Sequence, residues 1–358
     1  MNFSSVWLRS FRVLLFPFAV LYGIAIKIRN YLYDNEIIQS IEFNFPVICI
    51  GNISVGGTGK SPMVEYLLRL LMHRYKTATL SRGYKRKTRG YVLADDKTTA
   101  LDIGDEPMQF HLKFPEVTVA VGEERAIAIP QLLFDHPETD VIILDDALQH
   151  RAIKAGFNIL LTDYNNLFTR DMFLPTGDLR DSRSSYKRAD IIIVTKCSDN
   201  FSGAQKEQIT AEIKPTARQQ LFFTGIRYGA PCHIITRGIK RMSKETEVLL
   251  ACGVANPGPL KQHIQESCAS YDAIYYRDHY IFTIDDLREI RRRFEKIAAQ
   301  DKMIIVTEKD AVRLAKFAAE LKDMPVYVQP IETYFLFNES QRFNFLIENF
   351  IKGFTIKS

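Results

Sequence analysis

SVGGTGKS, residues 54–61, follows the apolar run VICI at 47–50 and decides the fold: a strand delivers the chain to a phosphate-cradling loop, and a helix leaves it. Gly56, Gly57 and Gly59 have no Cβ, so consecutive backbone N–H groups can turn toward one anion, and Lys60 and Ser61 open a helix whose positive end faces it. Ser54, Val55 and Thr58 complete the loop. In that geometry the Lys60 ammonium reaches the β- and γ-phosphates and the Ser61 hydroxyl holds Mg²⁺. The common pattern has Gly at the first position, where this chain has Ser54.

Outward from the loop the chain alternates apolar and amphipathic stretches. Residues 61–75 read as a helix, with Val64, Leu67, Leu68 and Leu71 on one face, and strands are expected at 45–50, Thr77–Ser81, 117–121, 141–144, 158–161 and 191–194. Uniformly apolar strands separated by helices imply a parallel sheet covered on both faces, with ligands at the carboxyl ends of its strands. The rhythm weakens at 219–237, which reads as a strand-like connector. It resumes with a strand at 248–253, a helix at 259–267, strands at Lys302–Thr307 and 325–328, and a final helix at 339–352. The expected organisation is an N-terminal helix at 1–35, a P-loop NTPase-type α/β domain at 36–218, the connector, and a second, smaller α/β domain at 238–358 that closes over the site.

With 358 residues, 46% hydrophobic and 25% charged, the chain is long enough for two cores. A net charge of +5 suits an anionic substrate or surface and does not call for nucleic acid, and nothing in the sequence demands an obligate protein partner. The five cysteines are scattered without C-x-x-C spacing, which points to a reducing compartment and against structural zinc. At the N-terminus VLLFPFAVLYGIAI, residues 13–26, is uncharged and flanked by Arg9, Arg12, Lys27 and Arg29. As a helix it reaches about 21 Å, short of a hydrocarbon core of roughly 30 Å, and adding Trp7 and Leu8 brings in arginines that must snorkel. A signal peptide, a buried core helix and a monotopic anchor are all open. Basic flanks and Pro17 favour a kinked or shallow anchor on an anionic leaflet.

Several side chains could do chemistry. VIILDD, 141–146, is a strand ending in two acids, the form in which phosphate-loop proteins hold a metal-directed carboxylate, and Gln149 and His150 follow it. SRGYKR, 81–86, is a basic loop expected on the same sheet edge. In GDEP, 104–107, Asp105 or Glu106 could take a hydroxyl proton, or could simply begin a helix. Arg125 opens a helix after the strand at 117–121, Arg180 in LPTGDLRD (174–181) is a candidate phosphate clamp, and His279 could bring an imidazole across a cleft between domains. Thr195-Lys-Cys-Ser-Asp199 is a poor version of the guanine-reading N-K-x-D motif.

Taken in order, SVGGTGKSP (54–62), SRGYKR, GDEP, LDDALQH (144–150), LPTGDLRD, RAD (188–190), DHY (278–280) and TEKDAVRL (307–314) resemble the tetraacyldisaccharide 4′-kinases, the lipid A 4′-kinase family. The resemblance implies transfer of the ATP γ-phosphoryl group to the 4′-hydroxyl of an acylated disaccharide 1-phosphate, giving lipid IVA in lipid A biosynthesis, at the cytoplasmic face of the inner membrane. It implies ATP and Mg²⁺ as cofactors and the lipid and a membrane surface as partners. It also implies Asp105 as the base, His279 as the partner that orients and tunes it, Lys60 on the nucleotide, and Ser61, Asp145 and Asp146 at the metal. Glu106, Arg125 and Arg180 supply supporting charge, with Glu106 a further metal candidate. Ala147-Leu148 stands where Gly-Phe is usual, Asp181 where Glu is, Tyr280 where a second His is common, and Ala255 where Gly is. Two other classes compete: a soluble GTPase or metallochaperone, selective for guanine and indifferent to lipid, and a membrane scaffold that binds ATP without turnover.

Overall fold

A computed structural model describes residues 12–355; Trp7, Leu8 and Arg9 lie outside the described residues. The strands are β1 (Ile41–Glu42), β2 (Val47–Gly51), β3 (Thr77–Ser81), β4 (Val92–Leu93), β5 (Thr118–Val121), β6 (Val141–Asp145), β7 (Ile153–Lys154), β8 (Phe157–Asp163), β9 (Ile191–Thr195) and β10 (Gln220–Tyr228). They continue with β11 (Cys232–His233), β12 (Glu247–Cys252), β13 (Ser270–Tyr275), β14 (Lys302–Thr307), β15 (Val326–Gln329) and β16 (Ile331–Phe335). A nine-stranded sheet has the order β16-β10-β9-β8-β2-β6-β3-β5-β4, and a five-stranded sheet has the order β11-β15-β14-β12-β13. In the large sheet only the two outer strands, β16 and β4, run antiparallel to their neighbours.

Burial on both faces explains the apolar runs. In β2, Val47 and Cys49 join one core and Ile48 and Ile50 the other, as a period of two requires of a strand sandwiched between layers. Helix Lys60–Leu71 buries Met63, Val64, Leu67, Leu68 and Leu71 in the second of these cores. The order of strands reverses around β2: the chain next crosses to β3 and β5, returns to β6, and then continues to β8 on the other side. Register puts Ile50 opposite Asp145 and Leu80 opposite Leu144, so the phosphate loop, the acid pair and the basic loop leave one sheet edge side by side.

Two organisational expectations need correcting. The stretch expected as a connector contains β10, which pairs parallel with β9 through Gln220–Phe223 and antiparallel with β16 through Thr224–Tyr228, so it belongs to the large sheet. The C-terminus also returns there: helix Ser340–Thr355 sets Phe343, Ile347 and Ile351 against the core under helix Lys60–Leu71. The five-stranded sheet is thus an insertion between β10 and β16. A pairing closed across so many residues leaves no local signature, whereas the alternation within each strand does.

Near the N-terminus residues 12–14 are helical, the chain turns at Leu15, and a helix restarts over Phe16–Asp34 with Pro17 in its first turn, where a missing N–H costs nothing. Ala19, Gly23, Ile26 and Asn30 form its buried face, while Phe18, Leu21, Ile24 and Ile28 are exposed. No helix among the described residues is long and apolar enough to cross a membrane.

Candidate active site

The loop from Ser54 to Ser61 takes the expected form. Gly56 and Gly59 have φ of +104° and +83°, a region that disfavours any side chain, and the space around Gly56 and Gly57 is open. The helix begins at Lys60. Lys60 Nζ donates to Asn52 Oδ1 at 3.2 Å and lies 3.7 Å from Asp146 Oδ1. Arg180 crosses from the loop after β8 to the same carboxylate: its guanidinium bonds both Asp146 oxygens, at 3.1 Å to Oδ2, and also donates to Asn52 Oδ1 at 2.5 Å.

The two acids at the end of β6 have unlike surroundings. Burial would raise the Asp146 carboxyl, but Lys60 and Arg180 outweigh it and hold the group below its ordinary range. Asp146 sits at φ +54°, a left-handed turn that swings it off the strand. Asp145 is buried, its Oδ1 has no hydrogen-bond partner, and burial together with the Asp146 charge pushes it up to about 7. Arg125 is buried, with one nitrogen donating to Gly122 O at 2.8 Å; burial and the nearby Arg82 push its guanidinium down. His150 is lowered by burial and by Arg125 and Arg82. Of the basic loop, Arg86 is held by Glu123 at 2.6 Å, whereas Arg82 makes no hydrogen bond or ion pair among the described residues.

At the other end of the site Asp105 begins helix Asp105–Lys113 behind Gly104, whose φ of +92° packs it against the Tyr84 carbonyl. Three bonds from the inserted sheet converge on Asp105 Oδ2: His279 Nδ1 at 2.8 Å and Arg313 through Nε at 3.1 Å and its terminal nitrogen at 2.7 Å. Burial would raise the Asp105 carboxyl, and Arg313 and His279 more than reverse it. His279 stands at φ +60° with its ring edge-on to Tyr84 at 5.6 Å. Glu106 is paired with Lys309 at 2.6 Å, so a cation there would have to displace an ammonium that already holds the carboxylate below its ordinary range against burial.

Arg313 and Lys309 are site residues that the sequence reading did not single out. Both lie on helix Glu308–Leu314, capped by Thr307 accepting from the Asp310 N–H, and Asp310 and Arg313 are one turn apart at the end of a buried strand. A charged pair at that spacing after an apolar run is the signal that could have exposed them. In the segment Thr195 to Asp199, Thr195 Oγ1 donates to Thr58 O at 2.9 Å, Lys196 pairs with Asp163 at 2.6 Å, and Asp199 accepts from the Tyr334 hydroxyl. The acid that a guanine reader needs is therefore engaged elsewhere.

A parallel sheet with a lysine–serine phosphate loop at its switch point, flanked by an acid pair at the neighbouring strand end, defines a phosphate-loop nucleotide enzyme. The family model for tetraacyldisaccharide-1-P 4′-kinase matches residues 11–352, and the chain belongs to that family. It is 45% identical to the tetraacyldisaccharide 4′-kinase of Flavobacterium johnsoniae, over 95% of this chain and 97% of that one. It is 42% identical to that of Bacteroides thetaiotaomicron, over 96% and 94%. Among solved structures it resembles LpxK from Aquifex aeolicus in complex with ATP, at 25% identity and a TM-score of 0.75, covering 95% of this chain and 99% of that one.

Proposed function

We infer that this protein transfers the γ-phosphoryl group of ATP to the 4′-hydroxyl of a tetraacyldisaccharide 1-phosphate, releasing ADP. The observation that carries the reading is the meeting of Asp105, His279 and Arg313 beside the loop that follows β3, the strand next to the acid-bearing β6. All three bonds fall on Asp105 Oδ2, which leaves Oδ1 to accept the acceptor hydroxyl. A carboxylate held ionised by Arg313 is a weak base, which suits a loose transition state in which the hydroxyl needs orientation more than early deprotonation. In this reading His279 fixes the orientation of Asp105, Lys60 and the loop amides hold the nucleotide phosphates, and Arg180 and Arg125 add positive charge.

The residues present fit a magnesium ion. Asp145 is a buried carboxylate with an unpartnered oxygen and too little positive charge, and the Ser61 hydroxyl stands at the helix start. Among the described residues no cluster of three or more acids, histidines and cysteines could hold a metal, so substrate phosphate oxygens and water would complete the shell. Ser61 with Asp145 or Asp146 would hold the ion, which when bound neutralises charge on the β- and γ-phosphates.

The helix Phe16–Asp34 supports attachment to a membrane surface, which in this reading is the cytoplasmic face of the inner membrane. Its small residues Ala19 and Gly23 face the protein, and of its large apolar residues Phe18, Leu21, Ile24 and Ile28 face outward while Ile26 alone is buried, close to the reverse of an ordinary surface helix. An acceptor with several acyl chains leaves a bilayer at a cost of about 0.8 kcal/mol per CH₂, so an enzyme working at the surface avoids extracting it.

Incubation with γ-labelled ATP, Mg²⁺ and the acylated disaccharide 1-phosphate tests the reaction: label is expected on the lipid 4′-position, and label released only as inorganic phosphate would refute it. For the surface, L21E combined with I24E should abolish sedimentation with phosphatidylglycerol vesicles, and undiminished sedimentation would refute the anchor.

A further inference from the structure

Helix Phe16–Asp34 is bonded to both loops that build the clamp on Asp146, and the bond network centres on Asp181. That carboxylate is fully buried. Its Oδ1 accepts from Asn30 Nδ2 at 2.8 Å and from the Ser182 N–H at 2.7 Å; its Oδ2 accepts from Arg188 at 2.9 Å, with Arg29 at 3.7 Å. We propose that Asp181, gripped by Asn30, is a positioning residue that sets the Arg180 clamp, so that the membrane-facing helix and the phosphate site form one mechanical unit.

Residue 180 is fixed from both sides. Its carbonyl accepts from the Tyr22 hydroxyl at 3.0 Å, its N–H donates to Ile53 O at 2.9 Å, and its guanidinium reaches Asp146 and Asn52. The next residue repeats the link, with the Asp181 N–H donating to Ile53 O at 3.2 Å. Two residues upstream, Asp178 accepts from the Val55 N–H at 2.7 Å through its carbonyl and from Arg12 at 2.9 Å through its carboxylate. The strip 178–181 thus lies between helix and phosphate loop, bonded to each.

The segment that follows the acid pair is held by the same helix. Arg151, five residues beyond Asp146, donates to Asn30 O at 3.0 Å and pairs with Asp34 at 2.7 Å, and Arg188 links Asp181 to Leu148 O at 3.3 Å. Gly23 permits this approach, since a Cβ there would lie 2.8 Å from the Phe173 ring. Asp181 is ionised: burial would raise it, but Arg188 and the Asn30 hydrogen bond hold it below its ordinary range. A buried ionised group held by four residues transmits displacement, because stretching any of its bonds leaves a buried charge less well satisfied. A helix that served only as a tether would need no such link to the clamp.

The rate readout rests on the kinase reading, whereas the exchange readout does not. In mixed micelles saturated with both substrates, where binding to a surface is not limiting, N30D opposes two carboxylates and D181N removes one; each should lower kcat about tenfold or more, with KM for ATP changed far less. The swap N30D/D181N restores an amide–carboxylate pair and should return kcat to within about threefold of wild type. Without substrates, amide exchange at Val55 and Arg180 should quicken in each single variant and recover in the swap. Y22F, which deletes only the bond to the Arg180 carbonyl, is the mild variant should the others unfold, and it should quicken Arg180 exchange while preserving Tm. Single variants with wild-type kcat and wild-type exchange would overturn the proposal, as would a swap no better than its parts. Recovered exchange in a chain that never labels lipid would support the linkage and sink the kinase reading.

Discussion

At the phosphate-loop end of the site two neighbouring acids share the available cations unequally: Lys60 and Arg180 both go to Asp146, and Asp145 is left buried with an unpartnered oxygen. At the Asp105 end one carboxylate has more than it needs, with Arg313 and His279 on the same oxygen. The first arrangement leaves a buried carboxylate beside which the proposed Mg²⁺ would supply the missing positive charge, and the second has its carboxylate met by protein groups alone. Under the proposed function, the difference separates a half that its cofactor would complete from a half preset for its acceptor.

The sharpest way to break that division is at Lys60. Lys60→Ala should cost about a thousandfold in kcat and weaken ATP binding as well, since the loop loses the side-chain charge proposed to reach the outer phosphates. Asp105→Ala should lower kcat by roughly a hundredfold to a thousandfold while the ATP Kd, measured by calorimetry, stays put. If both constants fell together, the two ends would not be separable.

Arg313→Met probes the preset half more gently. It strips Asp105 of two bonds and leaves the buried Asp310 short of a partner at 3.5 Å, so a loss of about 3 kcal/mol in stability is expected by denaturant unfolding. Asp105 is held below its ordinary range, so its pairing stabilises the fold above that range and is lost as pH falls through the depressed value. Without Arg313 the carboxyl rises, and the acid limb of the kcat/KM profile should move to higher pH. An unmoved limb would show that Arg313 does not tune Asp105.

The smallest effect is a pH dependence of the unfinished half. Asp145 keeps its proton in the fold up to about 7, while in the unfolded chain it ionises near 3.8. The native state therefore binds the extra proton in that window, and the stability it contributes is present below the lower value and lost as pH rises through the upper one. Asp145→Asn should remove this slope, so that without nucleotide its Tm gains on wild type as pH increases through the window. Parallel Tm profiles would contradict the assignment. Mg²⁺ with ATP should bind the wild type more tightly as pH rises through neutrality, because the ligand carboxylate must ionise.

The same contrast explains what was legible in the sequence. The phosphate loop, its lysine and serine, and the acids after VIIL are coded within a few residues, by a strand whose every position is buried and a loop that needs glycine. Asp105 and His279 were each readable as candidates from their own loops, but their partnership came only through family resemblance, since they stand 174 positions apart, and Arg313 is 208 positions from the carboxylate it holds. Such pairs are fixed by how the inserted sheet packs on the first, which no local periodicity records. The same long closure hid the return of β16 and the C-terminal helix to the large sheet. For Glu106 the resemblance offered a metal role, and the structure pairs its carboxylate with Lys309, a partner 203 positions away that no local pattern records.

Single-turnover transfer from γ-labelled ATP to the acylated disaccharide 1-phosphate, run for wild type and Asp105→Ala at saturating, independently measured ATP occupancy, tests the division most directly. The account predicts full nucleotide occupancy in both proteins and label on lipid at a useful rate only in the wild type. Equal transfer rates at equal occupancy would contradict it.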